Sequence, residues 1–197
     1  MTNDTNTERK LVKHKFRCHQ IDPHTKILII GTFNPATPKN NADFFYSRQV
    51  RRPNELWKLL PFALGSKDDL TGLGRVDEKK KVMSEHHVDF IDVIEEVEVP
   101  ADREDDVDDA FIDKYVEKWH DGISEMKNLT LDAACFARST FEDIPQINSR
   151  IIEIEDYCKK SNIQFRRLVT PSPGYRPKDK QLKQREWTEF FKPFAKS

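Results

Sequence analysis

A chain of 197 residues, 37% hydrophobic and 34% charged, suits one polar domain with a sizeable core, not two. No apolar stretch approaches the roughly 18 residues of a membrane-spanning helix. A net charge of −1 sets up no global basic field for nucleic acid. That balance is made of opposed patches. Acids dominate Glu95 to Asp109, whereas Arg48, Arg51 and Arg52 cluster early and Arg166, Arg167, Arg176, Lys178 and Lys180 cluster late. The acidic run reads as solvated surface, and the basic clusters permit a local anion-binding face.

Three widely spaced cysteines, Cys18, Cys135 and Cys158, fit reduced thiols in a cytoplasmic protein and argue against a disulfide framework. The six histidines include His86-His87 as neighbours, with no partner at zinc-site spacing, so neither a metal nor another cofactor is expected. The opening MTNDTNTERK lacks the apolar region of a secretory leader. Residues 1–20 are expected to form a flexible tail, and 21–197 a single α/β domain.

In chain order, Lys26 to Ile30 predicts a strand buried on both faces. A long polar loop leads to a helix from about Pro53 to Ala63, with Leu56, Leu59, Leu60 and Ala63 at helical spacing. DEKKKVMSEHH predicts a short helix, and Asp89 to Ile94 a second strand. After the acidic run, Phe111, Tyr115, Trp119 and Ile123 predict an amphipathic helix. Thr130 to Ala137 predicts a third buried strand, and about Pro145 to Lys160 a helix striped by Ile147, Ile151, Ile154 and Cys158. QFRRLVT predicts a fourth strand ending at Thr170, and Lys178 to Phe194 a closing helix. Strands alternating with helices give a three-layer α/β sandwich around a mainly parallel sheet of about four strands.

Two strand-end loops stand out: Gly31-Thr-Phe-Asn-Pro35 and Thr170-Pro-Ser-Pro-Gly-Tyr-Arg176. In a parallel sheet both lie on the carboxyl edge, where open α/β sheets bind ligands. Neither matches a dinucleotide fingerprint or a P-loop. An Asn in a βα turn is usually an Asx-turn or a cap, and PSPG is usually a rigid turn. The residues alone point to a ligand site on the sheet edge.

GTFNP after a buried strand, then FFYSRQVRRPNELWKLL, then TPSPGYR after the last strand resembles the uracil-DNA glycosylase superfamily. Its mismatch-specific uracil/thymine and hypoxanthine-DNA glycosylase branches are the most similar. Asn34-Pro35 matches the first motif, Phe45 and Tyr46 the aromatics, Pro53-Asn54 and Leu56-Trp57 the helix start, and Pro171-Ser172 the last loop. The order spans residues 26 to about 190. The resemblance implies a monofunctional DNA glycosylase of base excision repair, a monomer acting on DNA that carries a damaged or mismatched base. That base would be uracil, mispaired thymine, hypoxanthine or xanthine.

By that resemblance Asn34 positions the hydrolytic water, and the backbone amides of Thr32 and Phe33 stabilise the departing base. Phe45 or Tyr46 stacks on the flipped base while the other packs in the core, with Phe44 the expected core member. Ser172 bonds a flanking phosphate. Arg51, Arg52 and Pro171 belong to the DNA-binding surface, and Gly174, Tyr175 and Arg176 enter the gap or the minor groove. Alternatively, Tyr175 covers the sheet edge and Arg176 pairs with the acidic run.

The chain also departs from the pattern. The first motif carries no Asp, and the nearest acid in sequence is Asp43. Ala36 replaces a Gly, Arg51-Arg52 stands where His-Pro is expected, and the second loop has no His. No lysine stands out as a nucleophile, Lys39 lying in a polar loop. The competing expectations are a non-catalytic nucleic-acid or nucleotide-binding module on the same fold, and an interaction protein acting through its acidic run.

Overall fold

The computed structural model describes residues 8–48, 51, 53–106, 108–172 and 177–195. The chain runs through β1 (Arg9–Lys13), β2 (Ile27–Gly31), α1 (Leu56–Ala63), α2 (Val76–His86), β3 (Val88–Asp92), β4 (Ile94–Pro100) and α3 (Asp109–Ile112). It continues through β5 (Val116–Trp119), α4 (Gly122–Met126), β6 (Ala133–Phe136), α5 (Pro145–Lys160), β7 (Gln164–Arg167) and α6 (Pro177–Phe191).

Every residue of β2, β3 and β6 is buried, as strands covered on both faces require. These three strands and β7 pair in parallel, in the order β3-β2-β6-β7. Side chains alternate across the sheet. Ile27 and Ile29 join Leu56, Trp57 and Leu60 of α1, Met83 of α2 and Trp187, Phe190 and Phe191 of α6. Leu28 and Ile30 join Ile147, Ile151, Ile154 and Cys158 of α5 on the other face. The result is a three-layer α/β sandwich. No described helix is long and apolar enough to cross a membrane.

The helix α5 forms as its stripe predicts, and its first turn has a buried acceptor. Asp113 takes the backbone N–H of Ile147 at 2.6 Å on one oxygen and that of Gln146 at 3.2 Å on the other. A carboxylate there satisfies orphan donors and complements the helix dipole. α1 begins at Leu56, three residues later than expected, because the Asn54 side chain accepts the Leu56 N–H at 2.8 Å and holds Pro53 outside.

Three stretches differ from expectation. Residues 9–13, expected in a flexible tail, form β1, antiparallel to β4 from Arg9↔Pro100 to Lys13↔Glu96. Only Val12 of that strand is buried, so its apolar pattern is mute; the ladder and cross-strand pairs such as Lys13 with Glu96 at 3.4 Å hold it. The acidic run is not all solvated surface, because Val97 and Val99 alternate inward along β4. The amphipathic helix over 111–123 is replaced by α3, a 3-10 turn at Asp113–Tyr115, β5 and α4. Phe111 and Tyr115 do meet one helical turn apart, with ring centroids at 4.8 Å. Val116 and Trp119 instead pair with Val97 and Ile94, so the open edge of β4 wins over the helical spacing. The order of this second sheet is β1-β4-β5.

A buried lysine ties two loops together near the sheet's carboxyl edge. Lys79 of α2 is 0% exposed. Its Nζ donates to Ser47 Oγ at 2.8 Å and to the carbonyls of Gly72 and Gly74 at 2.6 and 3.1 Å. Burial pulls its pKa below the ordinary lysine value. Lys79→Met keeps the stem's volume and strands three acceptors, an expected loss of roughly 2–3 kcal/mol in urea unfolding. A change below about 0.5 kcal/mol would mean that water replaces the ammonium without cost.

Candidate active site

Strand order places the site. From β2 the chain moves to β3 on one side and later to β6 on the other, so the topological switch lies between β2 and β6. A cleft of about 390 Å³ opens there. Gly31 to Asn34 follow β2 into it, Phe136 to Arg138 follow β6, and Thr170 to Ser172 follow β7. The long loop between β2 and α1 brings Asn40, Tyr46, Arg48 and Asn54, and α3 brings Asp109. The two loops singled out in the sequence thus share one cleft.

Asn34 is held from behind. Its Nδ2 donates to Asp92 Oδ2 at 3.1 Å, and the same oxygen bonds His14 Nε2 at 2.7 Å. His14 is 5% exposed and Asp92 6%. Gly31 leaves room for this arrangement, because a Cβ there would run into Asp92 Oδ1 and Tyr46 Oη. Tyr46 has φ 56°, a left-handed backbone uncommon for a residue other than glycine. Burial, aided by the nearby Asp92 and Asp109 carboxylates, pushes its phenol well above the usual value. The hydroxyl is therefore a donor at neutral pH.

A second carboxyl, Asp109, lines the cleft. Thr32 Oγ1 donates to Asp109 Oδ1 at 2.6 Å and Arg138 Nη1 to Oδ2 at 2.8 Å. Arg138 is itself gripped by Asp143 at 2.5 and 2.7 Å. Burial raises the Asp109 carboxyl above the usual carboxylate range, against the pull of those two bonds.

The last loop is anchored to α1 and α6. The Ser172 carbonyl accepts from Lys183 Nζ, which also donates to Glu55 Oε2 at 3.3 Å. The Glu55 N–H donates to the Pro171 carbonyl at 2.7 Å.

No protein-family model matches the chain, and no curated protein matches it.

Asn34, Thr32, Phe33, Tyr46, Pro171 and Ser172 all line the cleft. Phe45 does not. It is 2% exposed and stacks on Phe90 with centroids 5.5 Å apart and planes 16° apart, so Tyr46 is the member of the pair that lines the cleft. Phe44 is buried as expected. Arg51 is exposed, while Arg52, Gly174, Tyr175 and Arg176 lie outside the described residues. Sequence reasoning missed His14, Asp92, Asp109 and Arg138. Asp92 carried a usable signal, an acid closing the otherwise apolar FID end of a buried strand. Arg138 carried a similar signal, a charged residue two positions beyond the end of buried β6. His14 carried none, because its segment has no apolar period. Asp43, the acid nearest the first motif in sequence, instead accepts the Gly74 N–H at 2.5 Å. Among the described residues, no group of three or more His, Cys, Asp or Glu is placed to hold a metal ion.

Behind the His14–Asp92 pair lies a smaller cavity of about 180 Å³, lined also by Arg17, His19, His120 and Glu125. His120 Nε2 lies 3.1 Å from a Glu125 oxygen, and that hydrogen bond raises the imidazole pKa despite burial. A folded pKa above the unfolded value of about 6.5 means that the pair stabilises fully below that pH, and less as pH rises through the raised value. His120→Gln is expected to lose under about 1 kcal/mol near pH 5.5 and nothing measurable near pH 9. Urea midpoints at the two pH values check this, and equal losses at both would assign the effect to packing.

Proposed function

We propose that the chain is a monofunctional DNA glycosylase with a uracil-DNA glycosylase-like site. It hydrolyses the N-glycosidic bond of a damaged or deaminated base, acting as a cytoplasmic monomer on DNA. The observation that carries this reading is the meeting of Asn34, Tyr46 and Ser172 in one cleft at the switch point.

Glycosidic cleavage passes through an oxocarbenium-like sugar while charge builds on the leaving base. With Nδ2 engaged by Asp92, the Asn34 carbonyl oxygen is the end left to accept a proton from water and aim its lone pair at C1′. An amide is a poor base, which suffices when departure of the base precedes attack. Backbone amides at Thr32 and Phe33 would take up charge on a base carbonyl. The Tyr46 ring would give the extruded base a face to stack on, worth about 1–3 kcal/mol. Ser172, Arg48 and Arg51 suit phosphate contacts that position DNA without reading its sequence. Arg52 and the Gly174-Tyr175-Arg176 segment would extend that surface.

The monofunctional assignment follows from the lysines. Lys79, whose pKa burial does lower, spends its ammonium on Ser47, Gly72 and Gly74 and does not line the cleft. Lys39 is not activated. A Schiff-base lysine needs a lowered pKa. The hydrogen bond to Asp105, at 2.8 Å, holds Lys39 above the ordinary value instead. Two carboxyls do stand beside the first motif from elsewhere in the chain, Asp92 bonded to Asn34 and Asp109 bonded to Thr32.

The test is excision from labelled oligonucleotides carrying uracil, mispaired thymine, hypoxanthine or xanthine, single- and double-stranded, with Asn34→Ala alongside. Cleavage that drops to a small residual rate in the variant while DNA affinity persists supports the enzyme and names its base. No cleavage of any lesion by a folded chain that binds DNA in a salt-sensitive way would leave a recognition module in its place.

A further inference from the structure

We infer that Asp92 and His14 are positioning residues that decide which end of the Asn34 amide faces the cleft, an inference that rests on the glycosylase reading above. The two ends of a carboxamide are nearly the same size, so shape does not choose between them. Hydrogen-bond partners do. Only the carbonyl end can accept a proton from the attacking water. The amino end would present donors, repelling the water's hydrogens and misdirecting its lone pair.

The network gives the choice one direction. The Phe16 backbone N–H donates to His14 Nδ1 at 3.1 Å, so the imidazole proton sits on Nε2 and points at Asp92 Oδ2, 2.7 Å away. A neutral imidazole facing a carboxylate leaves that oxygen an acceptor only. Asn34 must then offer it the amino end, which it does at 3.1 Å. The backbone is fixed by the same segment. Lys15 N–H donates to the Asn34 carbonyl at 2.7 Å, and Ala36 N–H to that of Lys13 at 2.8 Å. His14 therefore sits between two bonds that set the Asn34 main chain, while its ring sets the side chain. Burying a carboxylate and an imidazole at the end of a central strand is costly. The ladder of β1 on β4 already holds the segment without them, which leaves the amide as the reason for the pair.

Asp92→Leu tests the inference by keeping the branched shape and removing the shared acceptor. His14 Nε2 and Asn34 Nδ2 both end on Oδ2, so leucine leaves nothing to hold the amino end, and the Asn34 amide is free to turn it toward the cleft. Single-turnover excision of the lesion found above is expected to fall about a hundredfold, the scale of a misplaced catalytic group. Affinity for the same duplex should change by less than about threefold. In an Asn34→Ala background the same change should add almost nothing, because positioning has nothing left to act on. His14→Gln, which keeps a donor, should retain most of the rate, and His14→Phe should not. Asp92→Leu slowing excision equally in both backgrounds would overturn the inference. A second readout needs no activity: the Asn34 side-chain amide in the ¹⁵N-labelled protein, identified by its loss in Asn34→Asp. Slow exchange with water, and a shift on Asp92→Leu, support the inference. Fast exchange with no shift overturns it. A chain that cuts no lesion yet shows the protected amide overturns the glycosylase reading alone.

Discussion

A single methyl group added at Gly31 is expected to cost about 1–3 kcal/mol of stability and to slow excision about a hundredfold. The glycine is not there for backbone freedom, since its φ is not among the positive ones. It is there because two polar groups occupy the space of a side chain. A Cβ would meet the Asp92 carboxylate and the Tyr46 hydroxyl inside contact distance, and neither retreats cheaply. Asp92 is bound through its other oxygen to His14 and Asn34, so moving it breaks both bonds in a buried setting. Tyr46 hangs on a left-handed residue with φ 56°, next to Ser47, which Lys79 bonds at 2.8 Å. Gly31→Ala should therefore lower the urea midpoint with an unchanged slope and reduce kcat more than affinity.

A control separates this from ordinary loss of glycine. Gly72 has φ 88° and nothing within reach of a Cβ, so Gly72→Ala should cost about 1 kcal/mol of backbone strain. Its excision rate should match wild type. Equal behaviour of the two variants would show that Asp92 and Tyr46 do not close on Gly31 as described.

The layers of the fold were legible because their residues repeat. Ile27 to Ile30 have no polar face to expose, and Ile147, Ile151, Ile154 and Cys158 recur along one stripe; both patterns have a single solution. What failed was structure held by backbone pairing instead of apolar period. β1 buries only Val12, and β5 buries none of its four residues fully. For such strands the partner decides, and the partner, β4, was hidden in an acidic run.

The site divides in the same way. Asn34, Tyr46, Pro171 and Ser172 were visible because strand-end loops carry chemistry-bearing residues close to a recognisable strand. His14, Asp92 and Asp109 come from three other elements, 20, 58 and 75 positions from Asn34 by subtraction of their residue numbers. No local spacing announces them. Phe44, Phe45 and Tyr46 were indistinguishable as three consecutive aromatics. Their sorting follows from the turn at Tyr46, which swings one ring out of line with the two before it.

Lys183→Met is expected to act on the other half of the cleft, costing roughly 3 kcal/mol and weakening DNA binding while leaving kcat nearly intact. Lys183 is 3% exposed, and its ammonium joins the Ser172 carbonyl to Glu55. Methionine fills the stem's volume but offers no donor. Removing one member of a buried pair costs about 3–5 kcal/mol. The lower end applies because Glu55 retains 22% of its side-chain exposure and can recover water. The Pro171 carbonyl still has the Glu55 N–H at 2.7 Å, so the loop loses one of two ties. Ser172, assigned to a phosphate, should then wander, and the dissociation constant for lesion DNA should rise. Asn34 and its supports stand on β2, β3 and the β1 segment, none of which contacts Lys183 through a hydrogen bond described above. Adding Glu55→Gln to Lys183→Met should restore part of the stability, since the stranded carboxylate is gone, but not the affinity. A Lys183→Met chain that binds lesion DNA as wild type does, yet loses turnover as Asn34→Ala does, would move Ser172 from the phosphate to the reacting sugar.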